Sequence, residues 1–327
     1  MKILVTGGAG FIGSHACKAL KTAGHEPVVL DNLRTGHRWA VKYGPFEHGD
    51  ILETSRVAAL LQKHEIEAVM HFAALAYVGE SISQPGAYYQ TNVVGTLSLL
   101  GAMRLAGVNR FIFSSTCATF GNVDHHISEA DPQNPINPYG ASKLMVERIL
   151  RDYAAAFGIA SVALRYFNAA GSDPDGELGE IHDPETHLIP ITLFVAAGMR
   201  DKLNVFGTDY DTHDGTCVRD YIHVCDLADA HVAALGVLET GTFKAFNLGN
   251  GNGFSVRQVI DRAEAITGKP IAWEASPRRE GDPPSLVADA TAARTALGWN
   301  PRYPSLDDMI AHSWDFLTEH RAKLPSS

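Results

Sequence analysis

Short apolar runs alternate with longer amphipathic stretches over the first half of the chain. The apolar runs predict buried strands at 3–5, 27–30, 68–72, 110–113 and 161–165. The stretches between them have helical spacing and predict helices over 11–23, 53–64, 89–106 and 138–157. Strands that alternate with helices form parallel sheets with right-handed crossovers. The pattern therefore predicts an α/β fold with a Rossmann-type doubly wound parallel sheet.

The pattern changes after Gly171. Residues 172–185 are rich in Asp, Gly, Pro and Glu, which predicts a loop, and further helices are predicted at 189–199, 226–238, 255–267 and 306–320. A chain of 327 residues has room for two domains. We expect one domain over 1–170, with returning segments at about 215–250, and a smaller mixed α/β domain over 171–327.

Composition and charge argue against several classes of function. Lys and Arg total 27 against 37 for Asp and Glu, a formal net charge of −10, which argues against binding to nucleic acid or to an anionic membrane surface. The four cysteines form no C-x-x-C pair, so neither a disulfide framework nor a zinc site is predicted from them. No signal peptide and no apolar run of membrane-spanning length is recognisable. We expect a cytoplasmic protein that acts on a small molecule.

A glycine-rich turn follows the first predicted strand and opens the first helix. Gly7, Gly10 and Gly13 have the spacing that allows a tight turn, close approach to a pyrophosphate, and close packing of helix on strand. A helix N-terminus offers free N–H groups to phosphate. Asp31 ends the second strand, where a carboxylate accepts hydrogen bonds from a ribose and repels a 2′-phosphate. NAD is therefore favoured over NADP, although Arg34 lies nearby.

Tyr139 and Lys143 are one helical turn apart at the start of the fourth predicted helix, so their side chains can reach one ligand. A tyrosine that acts as a base near neutrality needs its pKa lowered by roughly three units, and nearby cations lower it. Thr116 follows a predicted strand at the sheet edge where ligands bind. We expect Tyr139 to be the base, with Lys143 and Thr116 beside it.

An ordered set of motifs carries a family resemblance that covers nearly the whole chain. The motifs are VTGGAGFIGSH at 5–15, LDNL at 30–33, GDI at 49–51, HFAA at 71–74, YGASK at 139–143, RYFN at 165–168, GTCVRDYIHV at 215–224 and RREGD at 278–282. With these motifs the chain resembles the extended short-chain dehydrogenase/reductase superfamily and, within it, the UDP-glucose 4-epimerase family.

The resemblance implies tightly bound NAD, a UDP-sugar substrate and a homodimer formed through the helices at 89–106 and 138–157. It implies that Tyr139 accepts and returns a proton, with Thr116 as hydroxyl partner and Lys143 as ribose-binding residue. The implied cofactor contacts are Phe11, Ile12, Asp31, Asn32, Asp50, Ile51, Phe72, Ala73, Asn92, Tyr139, Lys143 and Phe167. The implied substrate contacts are Thr116, Tyr139, Asn168, Leu188, Asn204, Phe206, Arg219, Arg279, Asp282 and Leu286.

Three residues depart from the family pattern or leave it open. Cys117 replaces a small residue beside Thr116, and Phe120 replaces a tyrosine; neither Cys117 nor its neighbour supplies the acid–base pair of the related 4,6-dehydratases. Leu286 is intermediate between the small and the bulky residues that accept or reject N-acetylated sugars.

The resemblance favours the interconversion of UDP-glucose and UDP-galactose, and several alternative functions accompany it. Epimerisation of UDP-N-acetylhexosamine or of UDP-xylose and UDP-arabinose stays open, as does, more remotely, a non-catalytic NAD-sensing protein. The residues His182, Asp183, Glu185 and His187 raise the question of a metal, but their spacing matches no helix-borne site. We expect no metal there and a solvated acidic loop instead.

Overall fold

The computed structural model describes residues 1–123, 125–279 and 282–321, so Glu280 and Gly281 of the RREGD motif lie outside the described residues. The strands are β1 (Lys2–Thr6), β2 (Glu26–Asp31), β3 (Phe46–His48), β4 (Ala68–His71), β5 (Arg110–Thr116), β6 (Ala160–Tyr166), β7 (Asn168–Ala170), β8 (Leu203–Phe206), β9 (Val218–Arg219), β10 (Tyr221–His223), β11 (Phe243–Leu248), β12 (Phe254–Ser255), β13 (Trp273–Ser276) and β14 (Ser285–Leu286). The α-helices are α1 (Phe11–Thr22), α2 (Thr54–Lys63), α3 (Val78–Ser83), α4 (Pro85–Tyr88), α5 (Gly95–Ala106), α6 (Pro138–Phe157), α7 (Leu188–Ala196), α8 (Val224–Ala234), α9 (Val256–Thr267), α10 (Thr291–Leu297) and α11 (Leu306–Glu319).

A parallel sheet of order β11-β6-β5-β4-β1-β2-β3 is the centre of the fold. The order reverses between β1 and β4, which is the topological switch point of a doubly wound fold. The predicted Rossmann-type sheet is therefore confirmed. The carboxyl ends of its central strands place Thr6, Asp31, His71 and Thr116 along one edge of the sheet.

Alternating side chains of the strands supply two cores. Ile3 and Val5 of β1 belong to the apolar cluster that also holds buried residues of α1 and α8, while Leu4 belongs to the opposite cluster with residues of α2 and α5. Because successive side chains of a strand point to opposite faces, both faces of the sheet must be covered by helices. The middle of β1 (residues 3–5) and of β2 (residues 28–30) is accordingly apolar and buried.

The predicted helix over 89–106 is two segments. Tyr89–Val94 is π-helical, and the regular helix α5 begins only at Gly95. Such π-helical turns are rare and are frequent at functional sites. Periodicity alone does not reveal this change, because the two segments form one continuous helical stretch in the sequence.

The polypeptide from Asn168 onward supplies a third apolar cluster and several small sheets, while α8 and β11 pack with the central sheet. The sheets pair β7 with β10, β8 with β13, and β9 with both β12 and β14. Residues of α7, α9 and α11 pack together in the third core. Within the part of the chain that the structure describes, no helix is long and apolar enough to cross a membrane.

Candidate active site

The glycine-rich turn links β1 to α1 by close backbone contacts. Gly7 has φ of 73°, and a Cβ there would lie 2.5 Å from the Ala73 nitrogen. A Cβ on Gly13 would lie 2.2 Å from the Gly7 oxygen, so this position admits no side chain. Gly10 is the N-cap of α1 and is partly exposed. The backbone N–H groups of the first turn of α1 thus face a cradle of the kind that holds phosphate.

Asp31 joins this turn to the neighbouring loop. One carboxylate oxygen accepts from the Ala9 nitrogen at 3.0 Å and the other from the Leu33 nitrogen at 2.8 Å. Burial raises the pKa of Asp31, and these two hydrogen bonds partly offset the increase. The carboxylate is thereby oriented at the carboxyl end of β2. The glycine cradle and this acceptor fit the pyrophosphate and the adenosine ribose of NAD.

Further residues predicted to contact the cofactor lie in the loops after β2 and β3. The Asn32 amide donates to Asp50 at 2.8 Å, which ties the loop after β2 to the loop after β3. Ile51 is buried, and its side chain lies where a Cβ on Gly95 would fall. The Asn32–Asp50 contact brings together residues 18 positions apart in the sequence, each in a loop that follows a strand end.

Asn92, Phe72 and Phe167 have protein partners of their own. The Asn92 amide exchanges two hydrogen bonds with the Leu75 backbone and donates a third to Ser142 at 3.0 Å. The Phe72 ring lies 4.7 Å from the ring of His231, and Phe167 packs in a small apolar cluster. Asn92 therefore joins the π-helical turn to the catalytic helix, a contact that the sequence did not indicate.

Tyr139 and Thr116 come together because α6 begins against the end of β5. Asn137 caps α6 through its side-chain oxygen, which accepts from the Gly140 nitrogen at 2.8 Å, and Pro138 occupies the first turn. A Cβ on Gly140 would lie 2.2 Å from the Ala118 oxygen. Gly140 thus permits a close approach that a larger residue would prevent. This role of the glycine directly after Tyr139 was not predicted from the sequence.

Lys143 is buried among apolar and backbone groups. Its ammonium donates to the Ser114 oxygen at 2.9 Å and lies 5.9 Å from the centroid of the Tyr139 ring. Burial lowers the pKa of Lys143 to about 7. Burial also raises the pKa of Tyr139, with the nearby Tyr166 adding to the increase and a hydrogen bond with Thr116 opposing it. In the protein without cofactor, burial therefore dominates the pKa of Tyr139 and keeps it raised, despite the lowering by Lys143 that the sequence predicts.

A buried histidine at the end of β4 was not predicted as a site residue. The His71 Nδ1 atom lies 2.6 Å from the Thr6 hydroxyl, and Nε2 lies 3.0 Å from the Thr96 hydroxyl. Because Thr96 donates its proton to the Asn92 oxygen, His71 must donate from Nε2 and accept at Nδ1. Burial lowers the pKa of His71 to about 3, with Lys143 as a second cause. The neutral His71 imidazole therefore connects β4 to β1 through Thr6 and to α5 through Thr96.

A buried ion pair lies below Thr116. The Arg165 guanidinium binds both carboxylate oxygens of Glu147, at 2.9 and 2.6 Å, and the Ser115 hydroxyl donates to the same carboxylate at 2.7 Å. The Phe120 ring lies 5.1 Å from the Arg165 guanidinium carbon. Phe120, one of the two residues that depart from the family pattern, thus contacts this ion pair. The sequence shows that Glu147 and Arg165 are charged, but it does not indicate that they form an ion pair.

The residues predicted to bind substrate fall into two groups. In the first, Arg219 and Leu286 are register partners in β9 and β14, and the Arg219 guanidinium binds Asp282 at 2.5 Å. In the second, Asn204 and Phe206 lie on β8, and the Arg279 guanidinium carbon lies 4.1 Å above the Phe206 ring. Each group therefore presents one arginine, held by a carboxylate or by an aromatic face.

Asn168 and Leu188 lie at the start of elements. The Asn168 side chain donates to the Asp220 oxygen at 2.9 Å beside Arg219, and Leu188 is the first residue of α7. The role of both residues in substrate binding stays a prediction.

The loop over 172–185 differs from the prediction in one respect. Glu180 and Glu185 are not solvated, since their side chains are each only 5% exposed. Burial lowers the pKa of His182, but the contacts with these carboxylates outweigh it and raise the pKa to about 10. The expectation of a solvated acidic loop is therefore wrong, because the chain folds Glu180, His182, Glu185 and His187 onto one another.

A family model described as "NAD dependent epimerase/dehydratase family" matches residues 3–249. The chain belongs to this family. UDP-glucose 4-epimerase of Halalkalibacterium halodurans is 51% identical over 98% of this chain and 96% of its own length.

Solved structures of family members superpose closely on this chain. One, of UDP-glucose 4-epimerase from Brucella ovis in complex with NAD, has a TM-score of 0.93 and 51% identity, covering 96% of this chain and 97% of its own. Another, of UDP-glucose-4-epimerase from Stenotrophomonas maltophila with bound NAD and formylated UDP-arabinopyranose, has a TM-score of 0.95 and 42% identity, covering 99% of each chain. The glycine cradle and the Tyr139–Lys143 pair therefore belong to a scaffold that binds NAD in its family.

Proposed function

We propose that the chain interconverts UDP-glucose and UDP-galactose by reversible oxidation at C4 of the hexose, with tightly bound NAD. The observation that carries the proposal is the meeting of Tyr139, Thr116 and Lys143 at the carboxyl edge of the sheet, where only β4 lies between β5 and the strand β1 that leads into the glycine cradle. Close relatives that bear the name UDP-glucose 4-epimerase over nearly their full length support it.

The cofactor is held by the chain's own residues at both ends. The cradle at Gly7, Gly10 and Gly13 receives the pyrophosphate, and Asp31 accepts from the adenosine ribose. Lys143 reaches the site of the second ribose from α6. When bound, oxidised NAD supplies a positive ring and a hydride acceptor, and in reduced form it returns the hydride to either face of the 4-keto sugar.

Tyr139 accepts the proton of the sugar 4-hydroxyl and later returns it. Thr116 lies close enough to Tyr139 to oppose the rise of its pKa, and it is positioned to share the same sugar hydroxyl. Because burial alone holds the pKa of Tyr139 high, the phenolate forms only when positive charge lies close to it. Lys143 is one such charge, and its depressed pKa means that it can also give up a proton near neutrality.

The nucleotide must be held firmly while the hexose rotates to present its other face. Arg219 and Arg279 are the cations available to the diphosphate, and guanidinium pairs with phosphate oxygens in a bidentate manner. Asp282 orients Arg219, and the Phe206 ring supports Arg279. Few polar groups would then fix the hexose, which leaves it free to present both faces.

Incubation of the purified protein with UDP-galactose and no added NAD tests the proposal. UDP-glucose should form, and a Tyr139→Phe variant should retain NAD yet lose turnover. If UDP-glucose does not form with or without added NAD, the proposal is wrong. A parallel panel of UDP-N-acetylgalactosamine and UDP-arabinose would measure whether Leu286 admits other sugars.

We also propose a cytoplasmic homodimer. Val94, Leu97 and Leu105 near α5 and Met145 on α6 expose apolar side chains, which a second copy of the chain could cover. The four cysteines are free thiols, which suits a reducing compartment. Sedimentation of the wild type and of Leu97→Glu should show a dimer and a monomer, respectively; a monomeric wild type would contradict the dimer.

A further inference from the structure

Four side chains in the loop before α7 converge on one point. Glu180, His182, Glu185 and His187, here called the 180–187 cluster, place one ligand atom each within 4.8 Å of all the others. His182 Nδ1 lies 3.0 Å from a Glu180 oxygen and 3.7 Å from a Glu185 oxygen, and His187 Nδ1 is in contact with Glu180 and 3.8 Å from Glu185. Ligand bonds of about 2.0–2.2 Å around a tetrahedral ion would separate such atoms by about 3.5 Å.

The cluster contains two buried polar atoms that take part in ion pairs but lack a well-oriented hydrogen bond. His182 Nδ1 and one oxygen of Glu185 make no hydrogen bond within the described parts of the chain and are shielded from solvent. The other oxygen of Glu185 accepts from the Thr186 and His187 nitrogens at 2.7 and 2.8 Å, which turns the unpartnered oxygen toward His182. Buried polar groups normally make well-oriented hydrogen bonds, so these two atoms suit an ion that displaces the imidazolium proton of His182 and accepts electron pairs from both.

We propose that the 180–187 cluster binds one divalent transition-metal ion of the zinc class. Two imidazole nitrogens with two carboxylate oxygens are ligands that zinc accepts, whereas magnesium and calcium prefer oxygen alone. Four protein ligands complete a tetrahedral shell, which is typical of a structural site. The site lies outside the chemistry proposed above and takes no part in the proton or hydride steps.

The position of the cluster explains what the ion would do. The His182 ring meets the ring of Phe11, at the start of α1, at a centroid distance of 6.4 Å and that of Tyr77 at 6.0 Å. His187 directly precedes Leu188, where α7 begins. An ion bound by these residues would therefore hold the loop between the glycine cradle and the first residue of α7.

The test measures metal binding directly. Untagged protein is stripped with a chelator, dialysed, and titrated with Zn²⁺ and separately with Co²⁺, Mg²⁺ and Ca²⁺. We expect one tightly bound Zn²⁺ per chain, the visible absorption of tetrahedral Co²⁺ with nitrogen and oxygen ligands, and a Tm that rises with Zn²⁺. A wild type that binds neither Zn²⁺ nor Co²⁺ would overturn the proposal and leave a metal-free cluster of His–Glu ion pairs.

Variants assign the bound ion to the cluster. His182→Gln combined with His187→Gln removes both nitrogen ligands and should weaken Zn²⁺ binding by more than about 100-fold, since loss of an outer-shell partner alone costs about 10- to 100-fold. The matched control is His213→Gln, because His213 lies 3.3 Å from Asp214 as an exposed His–carboxylate pair without further ligands. Equal binding by the double variant would refute the assignment. The Co²⁺ spectrum of the wild type decides coordination even if a variant fails to fold.

Discussion

Gly140→Ala tests whether the start of α6 sets the position of the catalytic tyrosine. The added Cβ would lie 2.2 Å from the Ala118 oxygen, 2.9 Å from the Ala118 carbonyl carbon and 3.1 Å from Pro135 Cβ. Non-bonded heavy atoms are comfortable at about 3.5 Å, so α6 and the turn that holds Ala118 must separate by roughly 1 Å. The opposing wall is backbone and cannot rotate out of the way.

This displacement acts on catalysis more than on folding. Tyr139 moves with α6 and Thr116 stays with β5, and a misplacement of about 1 Å costs on the order of 100-fold in rate. We therefore expect kcat to fall about 100-fold, equivalent to about 3 kcal/mol of activation free energy. The overpacking itself should lower the free energy of unfolding by about 1–3 kcal/mol.

The assay is conversion of UDP-galactose under saturating substrate, with bound NAD measured on the same preparation. The matched control is Gly86→Ala, because Gly86 follows a proline in the first turn of α4 as Gly140 follows Pro138, and a Cβ there meets nothing within 4 Å. The control should retain full kcat. A folded Gly140→Ala protein with unchanged kcat would refute the argument that this close approach positions Tyr139.

Three further predictions concern stability and substrate binding. Burial lowers the pKa of His231 to about 4, so between pH 6.5 and 4 the unfolded chain takes a proton that the folded chain does not, and stability falls as pH falls. His231→Leu should therefore reduce this loss by up to about 1.4 kcal/mol per pH unit, and an equally steep loss in acid urea titrations would contradict the assignment. Glu147→Gln should destabilise by about 3–5 kcal/mol in urea unfolding, because it leaves Arg165 buried and unneutralised, whereas Glu147→Leu with Arg165→Met should recover most of that loss; failure to recover would count against the charge argument. Arg279→Ala should raise KM for UDP-galactose about 10- to 100-fold, whereas Arg278→Ala, whose guanidinium is held by Asp209, should leave KM unchanged; equal effects would exclude a specific diphosphate contact.

The order of strands and helices was predictable because it rests on local periodicity. Residues 138–157 were predicted as a helix and form α6 with the same bounds. Each of the five predicted strands overlaps an observed one, although β5 continues to Thr116, three residues beyond its predicted end. The glycine cradle and Asp31 were also predictable, because a tight turn requires particular residues at fixed spacing. Short strands such as β3 and β14 were not predicted, since two or three residues carry no measurable period.

Contacts between distant segments could not be read from the sequence. Arg165 and Glu147 are 18 residues apart, His71 and Thr6 are 65 apart, and nothing local indicates that either pair is buried and hydrogen-bonded. The hydrogen bonds that the Asn92 amide of the π-helical turn donates to Leu75 and Ser142 were likewise not predictable from the sequence.

The sequence by itself determined which chemistry the chain can perform, because the glycine turn and the tyrosine–lysine pair each act through residues close in the chain. Only the tertiary structure decided the electrostatic state of those residues. Burial raises the pKa of Tyr139 and lowers that of Lys143, and it converts a loop of apparently solvated acids into the 180–187 cluster. Desolvation depends on what packs around a group, and that packing comes from segments far away in the sequence.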